Sequence, residues 1–338
     1  MTARGWFLFS LMGVVWGIPY LMIKVAVDEV SPSGVVFTRC ALGAALLLPF
    51  ALRKGDLFGT VRRHWKPMLA FAVIEIIGPW WTLTDAERHL SSSTAGLLIA
   101  GVPIVGVLLA LPHSRLRSSG GTPTFGAAER VGARRTTGLG LGLGGVAVLT
   151  VPHLTGGDVR SLAEVLVTVV GYATAPLIAA RHLKNVPTLQ LITPCLTLAA
   201  VVYAPAAFLT RPTTLPSDEA LAALAGLGVV CTAIAFVAFL ELIKEVGPVR
   251  AGVITYVNPA VAVAAGALLL DEDLTLGIGV AFTLILAGSV LATAAAGPGR
   301  EVRRVPWSTR QTSRAGGRVE SLTGLPEERP GSTGQGDG

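Results

Sequence analysis

Apolar residues run through this chain in long blocks, and the charges fall between the blocks rather than along a repeating face. A bilayer core takes about 20 apolar residues per helix. By that measure the sequence predicts ten spans, near 6–26, 33–52, 66–83, 92–111, 136–152, 162–180, 187–210, 220–240, 249–270 and 276–296. Arg4 ahead of the first block resembles the start of a secretory signal. The block is long, however, carries Lys24 and runs directly into the second, so it counts as a span. The fifth rests on GLGLGLGG, whose glycines permit close helix packing. From about 299 onward Gly, Pro, Ser and Arg replace the apolar pattern, which predicts a disordered cytoplasmic tail.

Composition supports the same picture. Hydrophobic residues make up 51% of the 338 and charged residues 14%, against roughly 25% charged in an ordinary soluble domain. That excludes a cytosolic enzyme, and it excludes disorder for most of the chain. The net charge of +6 sits in short loops and the tail without interleaved aromatics, so nucleic acid is not the partner read from it. One set of loops holds fifteen Lys and Arg before the tail begins. The alternate loops hold Arg88, Arg160 and Arg211, and they carry Asp28-Glu29, Asp218-Glu219 and Asp271-Glu272-Asp273. Ten spans with both termini in the cytoplasm account for this asymmetry.

Catalytic and metal chemistry find little footing. Cys40, Cys195 and Cys231 are isolated in apolar segments, and the five histidines stand at no metal-ligand spacing. No HExxH, P-loop or dinucleotide fingerprint occurs, so neither metal nor cofactor is expected.

The two halves can be superposed in sequence. Trp16-Gly17 falls on Tyr172-Ala173, Pro49 on Pro205 and Pro103 on Pro259 at an offset of 156, and Pro32 on Pro187 at 155. Glu129 then falls on Glu272 at 143, which places an insertion in 112–128 of the first half. The predicted domains are therefore repeats over 1–152 and 153–298, followed by the tail over 299–338. Five spans per repeat is odd, so the second copy enters the membrane from the opposite side, the architecture of many secondary transporters.

At this point the residues resemble a known family. WGIPYLMIKVAVDEVSPSGVVFTRCALGAALLLP at 16–49, AERHLSSSTAGLLIAGVPIVGVLLAL at 86–111 and EVGPVRAGVITYVNPAVAVAAGALLLDEDLTLGIGV at 245–280 are similar to the drug/metabolite transporter superfamily, EamA type. The resemblance covers about residues 5–297. It implies an all-α integral membrane protein of ten helices in two inverted five-helix repeats, exporting small metabolites. It also implies glutamates before the fifth and tenth helices, at Glu129 and Glu272, which are expected to complement the local helix dipole.

Candidate pathway residues are those that are costly inside a bilayer. Glu75 lies about ten residues into the third span, where it could carry a proton, hold a cationic substrate group, or pair with Arg39 or Lys24 as a helix lock. Arg39 could bind a substrate carboxylate, or pair with Glu75 or the acidic outer loop. Trp16, Tyr20 and Lys24 share one helical stripe that could face the pathway, although Lys24 is close enough to the outer end to snorkel. Pro103 and Pro259 sit about eleven residues into the fourth and ninth spans, with Asn258 at the same depth, and matched helix breaks point to a central site. Trp80 and Trp81 are expected to be membrane-interface residues. The resulting reading is a secondary-active exporter in the cell membrane, taking a small metabolite such as an amino acid, with the proton as candidate coupling ion. The rival readings are a membrane-embedded enzyme, for which no polar catalytic cluster is found, and a non-transporting scaffold.

Overall fold

The computed structural model describes residues 2–53, 55–106, 108–109, 133–156, 158–246, 254 and 257–293. Glu129, the 112–128 insertion, the first part of the ninth predicted span and the tail lie outside the described residues. Every regular element among the described residues is helical. In chain order the apolar helices are α1 (Ala3–Val27), α2 (Pro32–Arg53), α3 (Leu57–Ala86), α4 (Ser92–Gly106), α5 (Ala133–Gly156), α6 (Val159–His182), α7 (Thr188–Leu209), α8 (Asp218–Phe239), α9 (Asn258–Leu269) and α10 (Leu276–Thr293). Six of these (α1, α2, α3, α6, α7 and α8) are long and apolar enough to cross a membrane. The apolar stretches of the other four are shorter.

Local chemistry sets the ends. Thr2, Asp56, Ser91 and Ser217 each accept a backbone N–H three residues on, satisfying a donor that a helix start leaves free. Two loop carboxylates do the same across the molecule. Glu29, after α1, accepts the Ser217 N–H at 2.7 Å and the Ser217 hydroxyl, at the start of α8. These bonds hold the Glu29 carboxyl below the usual carboxylate range. Glu272, before α10, accepts the N–H groups of Ser92 and Ser93 at 2.7 and 3.0 Å, together with the Ser93 hydroxyl. The sequence places Glu272 at the start of the tenth helix; in the structure it serves the fourth. The four orphan amides of a buried helix start need an acceptor, and the loop delivers one from the other half of the chain.

Helices of the first half pack on helices of the second. The pairings are α1 with the helix continuing α8 (Ala235–Val246), α2 with α7, α3 with α6, α4 with α9 and α5 with α10. Exchanging the first five helices for the last five leaves this set of pairings unchanged. Glycine allows the closest of them. A Cβ on Gly288 of α10 would strike the backbone of Gly142 on α5, and one on Gly17 would strike Val261 of α9. The large apolar side chains that remain exposed, among them Phe7, Phe58, Leu166 and Leu209, suit acyl chains.

The irregular backbone is also matched. α3 contains a π-helical stretch over Ala72–Ile77, and α8 contains one over Gly226–Ile234. α4 breaks at Ala100 and Gly101, where Gly101 N–H reaches the Leu98 carbonyl, and a second segment starts before Pro103. α9 begins at Asn258 with Pro259 in its first turn. The sequence puts both prolines in mid-helix. Each instead stands where a helical segment starts, a place that asks for no amide hydrogen.

Candidate functional site

The breaks and the π stretches surround a cavity of about 390 Å³. Trp16 and Tyr20 of α1, Arg39 of α2, Glu75 and Trp80 of α3 and Pro103 of α4 line it from the first half. Tyr172 of α6, Cys231 and Phe236 of α8, and Asn258 and Pro259 of α9 line it from the second. The volume suits a small organic molecule.

Glu75 reaches the cavity from within the π stretch of α3. One wide turn displaces the side chains after it, a device common at functional sites. The backbone cost is contained: Tyr203 of α7 donates its hydroxyl to the Ile77 carbonyl at 2.7 Å. Glu75 Oε2 is fully buried and has no hydrogen-bond partner among the described residues. No described ion pair joins Glu75 to Arg39 or Lys24. The helix-lock alternative therefore has no contact behind it in this conformation.

Arg39 is held in place rather than paired. Its Nε donates to Thr232 Oγ1 at 3.0 Å, and its guanidinium lies 3.7 Å above the Trp80 ring. Thr232 in turn donates its hydroxyl to the Leu227 carbonyl at 2.8 Å, within the π stretch of α8. Stacking orients a guanidinium without consuming its remaining donors. Across the chamber Trp16 packs against Phe239 with ring centres 4.7 Å apart. The Asn258 Oδ1 is a second buried acceptor without a described partner.

The structure thus gathers Trp16, Tyr20, Arg39, Glu75, Pro103, Asn258 and Pro259 around one chamber. Lys24 is not among its walls. α1 is interrupted at Trp16–Ile18, and Lys24 turns inward to donate to the Glu87 carbonyl at 2.8 Å instead of snorkelling. Trp80, expected at the interface, is buried beneath Arg39, while Trp81 donates to Ser33. Sequence reasoning did not single out Tyr172, Cys231, Thr232 and Phe236. The repeat offset of 156 leads from Trp16, Glu75 and Trp80 to Tyr172, Cys231 and Phe236, so the signal was present for three of the four.

The EamA-like transporter family matches residues 3–113 and 161–294, most of both helical halves. The chain belongs to that family. A relative from Escherichia coli K12, named "Uncharacterized inner membrane transporter YedA", is 27% identical over 288 residues, covering 85% of this chain and 89% of the relative. Its counterparts in the O6:H1 and O157:H7 strains match with the same figures. A solved structure described as "Crystal structure of protein" shares the fold with a TM-score of 0.61 at 20% identity, over 87% of this chain and 98% of that one. Family membership and the apolar helices make this chain a multi-pass membrane transporter with a small-molecule substrate.

Proposed function

We propose that the chain is a secondary-active exporter of a small zwitterionic metabolite, such as an amino acid with an apolar side chain, working by alternating access. The observation that carries the reading is one chamber holding a buried, unpartnered Glu75 carboxylate oxygen and an Arg39 guanidinium not paired with it. A buried unpaired carboxylate costs several kcal/mol. A substrate ammonium facing Glu75 and a substrate carboxylate facing Arg39 would satisfy both groups, while Trp16, Tyr20, Trp80 and Tyr172 take the apolar part.

All ten helices are read as crossing the bilayer in two inverted repeats, 1–152 and 153–298, with both termini cytoplasmic. Support comes from the helix pairings that survive exchange of the halves, from the paired π stretches and from the paired breaks. Tilted or broken helices shorter than the bilayer are tolerated where the backbone lines a wet cavity. The test is counterflow of labelled neutral amino acids in proteoliposomes. Saturable exchange inhibited by excess unlabelled amino acid, and lost in Glu75→Gln, is the expected result. Exchange that is absent across the neutral amino acids, or intact in Glu75→Gln, contradicts the reading.

A further inference from the structure

Glu87, at the outer end of α3, is fully buried, and neither of its carboxylate oxygens has a hydrogen-bond partner among the described residues. It lies one helical turn beyond Leu83, which lines the cavity, just as Lys24 lies one turn beyond Tyr20. Lys24 from α1 is close by, but its described bond goes to the Glu87 backbone carbonyl and not to the carboxylate. Glu272, from the loop before α10, is the other carboxylate nearby, and it is already saturated by Ser92 and Ser93. The Ser92 hydroxyl is also buried and unpartnered. From α2, Arg39 contributes a more distant positive charge. Arg88 and, from α6, Arg160 are taken up by Asp85, and Arg160 also by Glu164.

Two carboxylates and one ammonium leave this pocket one positive charge short when all are ionised. A proton on Glu87 cancels the deficit without new ligands. Burial, with Glu272 adding to it, holds the Glu87 carboxyl well above the usual carboxylate range, against the opposing pull of Lys24. Three elements meet around Glu87: α1, bonded to it through Lys24, the α9–α10 loop, which brings the Glu272 charge, and the start of α4, bonded to Glu272 through Ser92.

We propose that Glu87 is the proton-coupling site of this transporter, separate from the substrate chamber around Glu75 and one turn outward from it. The proposal rests on the transport reading, and its test is chosen to stand apart from any substrate. With Glu87 protonated in the folded chain and ionised in the unfolded chain at neutral pH, stability falls as pH rises from about 5 towards 8. The full-length protein in detergent is melted across that range in sodium chloride and in choline chloride. Wild type is expected to lose melting temperature with rising pH in both salts; Glu75→Gln, which silences the buried chamber carboxyl, should keep part of that slope, and the double variant Glu75→Gln/Glu87→Gln should lose most of what remains. The same slope in Glu75→Gln and in the double variant, or stabilisation by sodium in place of the proton, overturns the proposal.

Infrared difference spectra between low and high pH should show a protonated-carboxyl band that is absent in Glu87→Gln. If that variant does not fold, Glu87→Asp should shift the band, and an unshifted band overturns the assignment. In proteoliposomes, Glu87→Gln should lose gradient-driven transport by about tenfold or more while counterflow persists. Equal loss of both modes counts against a separate coupling site. Absent counterflow in wild type would sink the amino-acid reading and leave the melting and infrared results to decide on Glu87.

Discussion

The two halves of the chain share a backbone plan and differ in chemistry. At an offset of 156, Trp16 corresponds to Tyr172, Glu75 to Cys231, Trp80 to Phe236 and Pro103 to Pro259, and all eight line the cavity. The aromatic and proline positions keep their character. The charged positions do not: Glu75 meets a cysteine, and Arg39 meets the buried Cys195. Each half has a π stretch, so the bulge is common to both and the carboxylate belongs to one of them. A symmetric chamber with both charges on one side suits a dipolar solute held in a single orientation.

The comparison can be broken most severely at the seam between the halves. Gly288→Leu on α10 would drive a side chain into the backbone of Gly142, which cannot give way, whereas Gly144 on α5 has open space around it. The first substitution should abolish monodisperse protein in detergent, at a cost of about 3 kcal/mol or more, and Gly144→Leu should leave elution and melting nearly unchanged. Next comes the asymmetry of charge. Glu75→Gln should weaken substrate binding about a hundredfold, and Cys231→Ser less than about twofold, by counterflow titration. Equal effects would mean that the halves share the chemistry after all.

Arg39→Lys is expected to cost less, about tenfold in affinity, because it keeps the charge while losing the Nε bond to Thr232 and the planar stack on Trp80. The two cross-half caps offer a finer comparison. Glu272→Ala should destabilise by about 1–3 kcal/mol, since it leaves the Ser92 and Ser93 amides unsatisfied at a buried helix start. Glu29→Ala should matter less because Glu29 is exposed, and its contribution should fade as pH falls through the depressed carboxylate range. Smallest of all, deleting 114–126 should leave melting and counterflow nearly intact, because the second half has no counterpart to it.

Much of this was legible in the sequence because a bilayer imposes a coarse rule. Apolar blocks of about bilayer length required no knowledge of packing. Glu75 and Arg39 stood out because charge inside an apolar block is costly wherever it points. What could not be read was direction. Lys24 lies in stripe with Trp16 and Tyr20 on an ideal helix, but the interruption at Trp16–Ile18 changes its surroundings. Trp80 near a span end suits an interface residue equally well, and only the position of α2 places Arg39 over its ring. Glu272 precedes α10 in sequence yet serves α4, since a cap is decided by which amides arrive beside it. Glu87 passed unnoticed because a glutamate just after a span looks like any solvated loop residue.

The central claim is that one scaffold occurs twice in opposite orientations, and one pair of positions tests it directly. Asp28 and Lys184 are related by the 156 offset, are both exposed, and each stands just beyond a helix of its half. With Cys40, Cys195 and Cys231 replaced by serine or alanine, single cysteines at these positions can be probed with a membrane-impermeant maleimide on intact cells. Asp28→Cys should label from outside, and Lys184→Cys only after the membrane is permeabilised. Labelling of both from the same side would contradict the inverted arrangement.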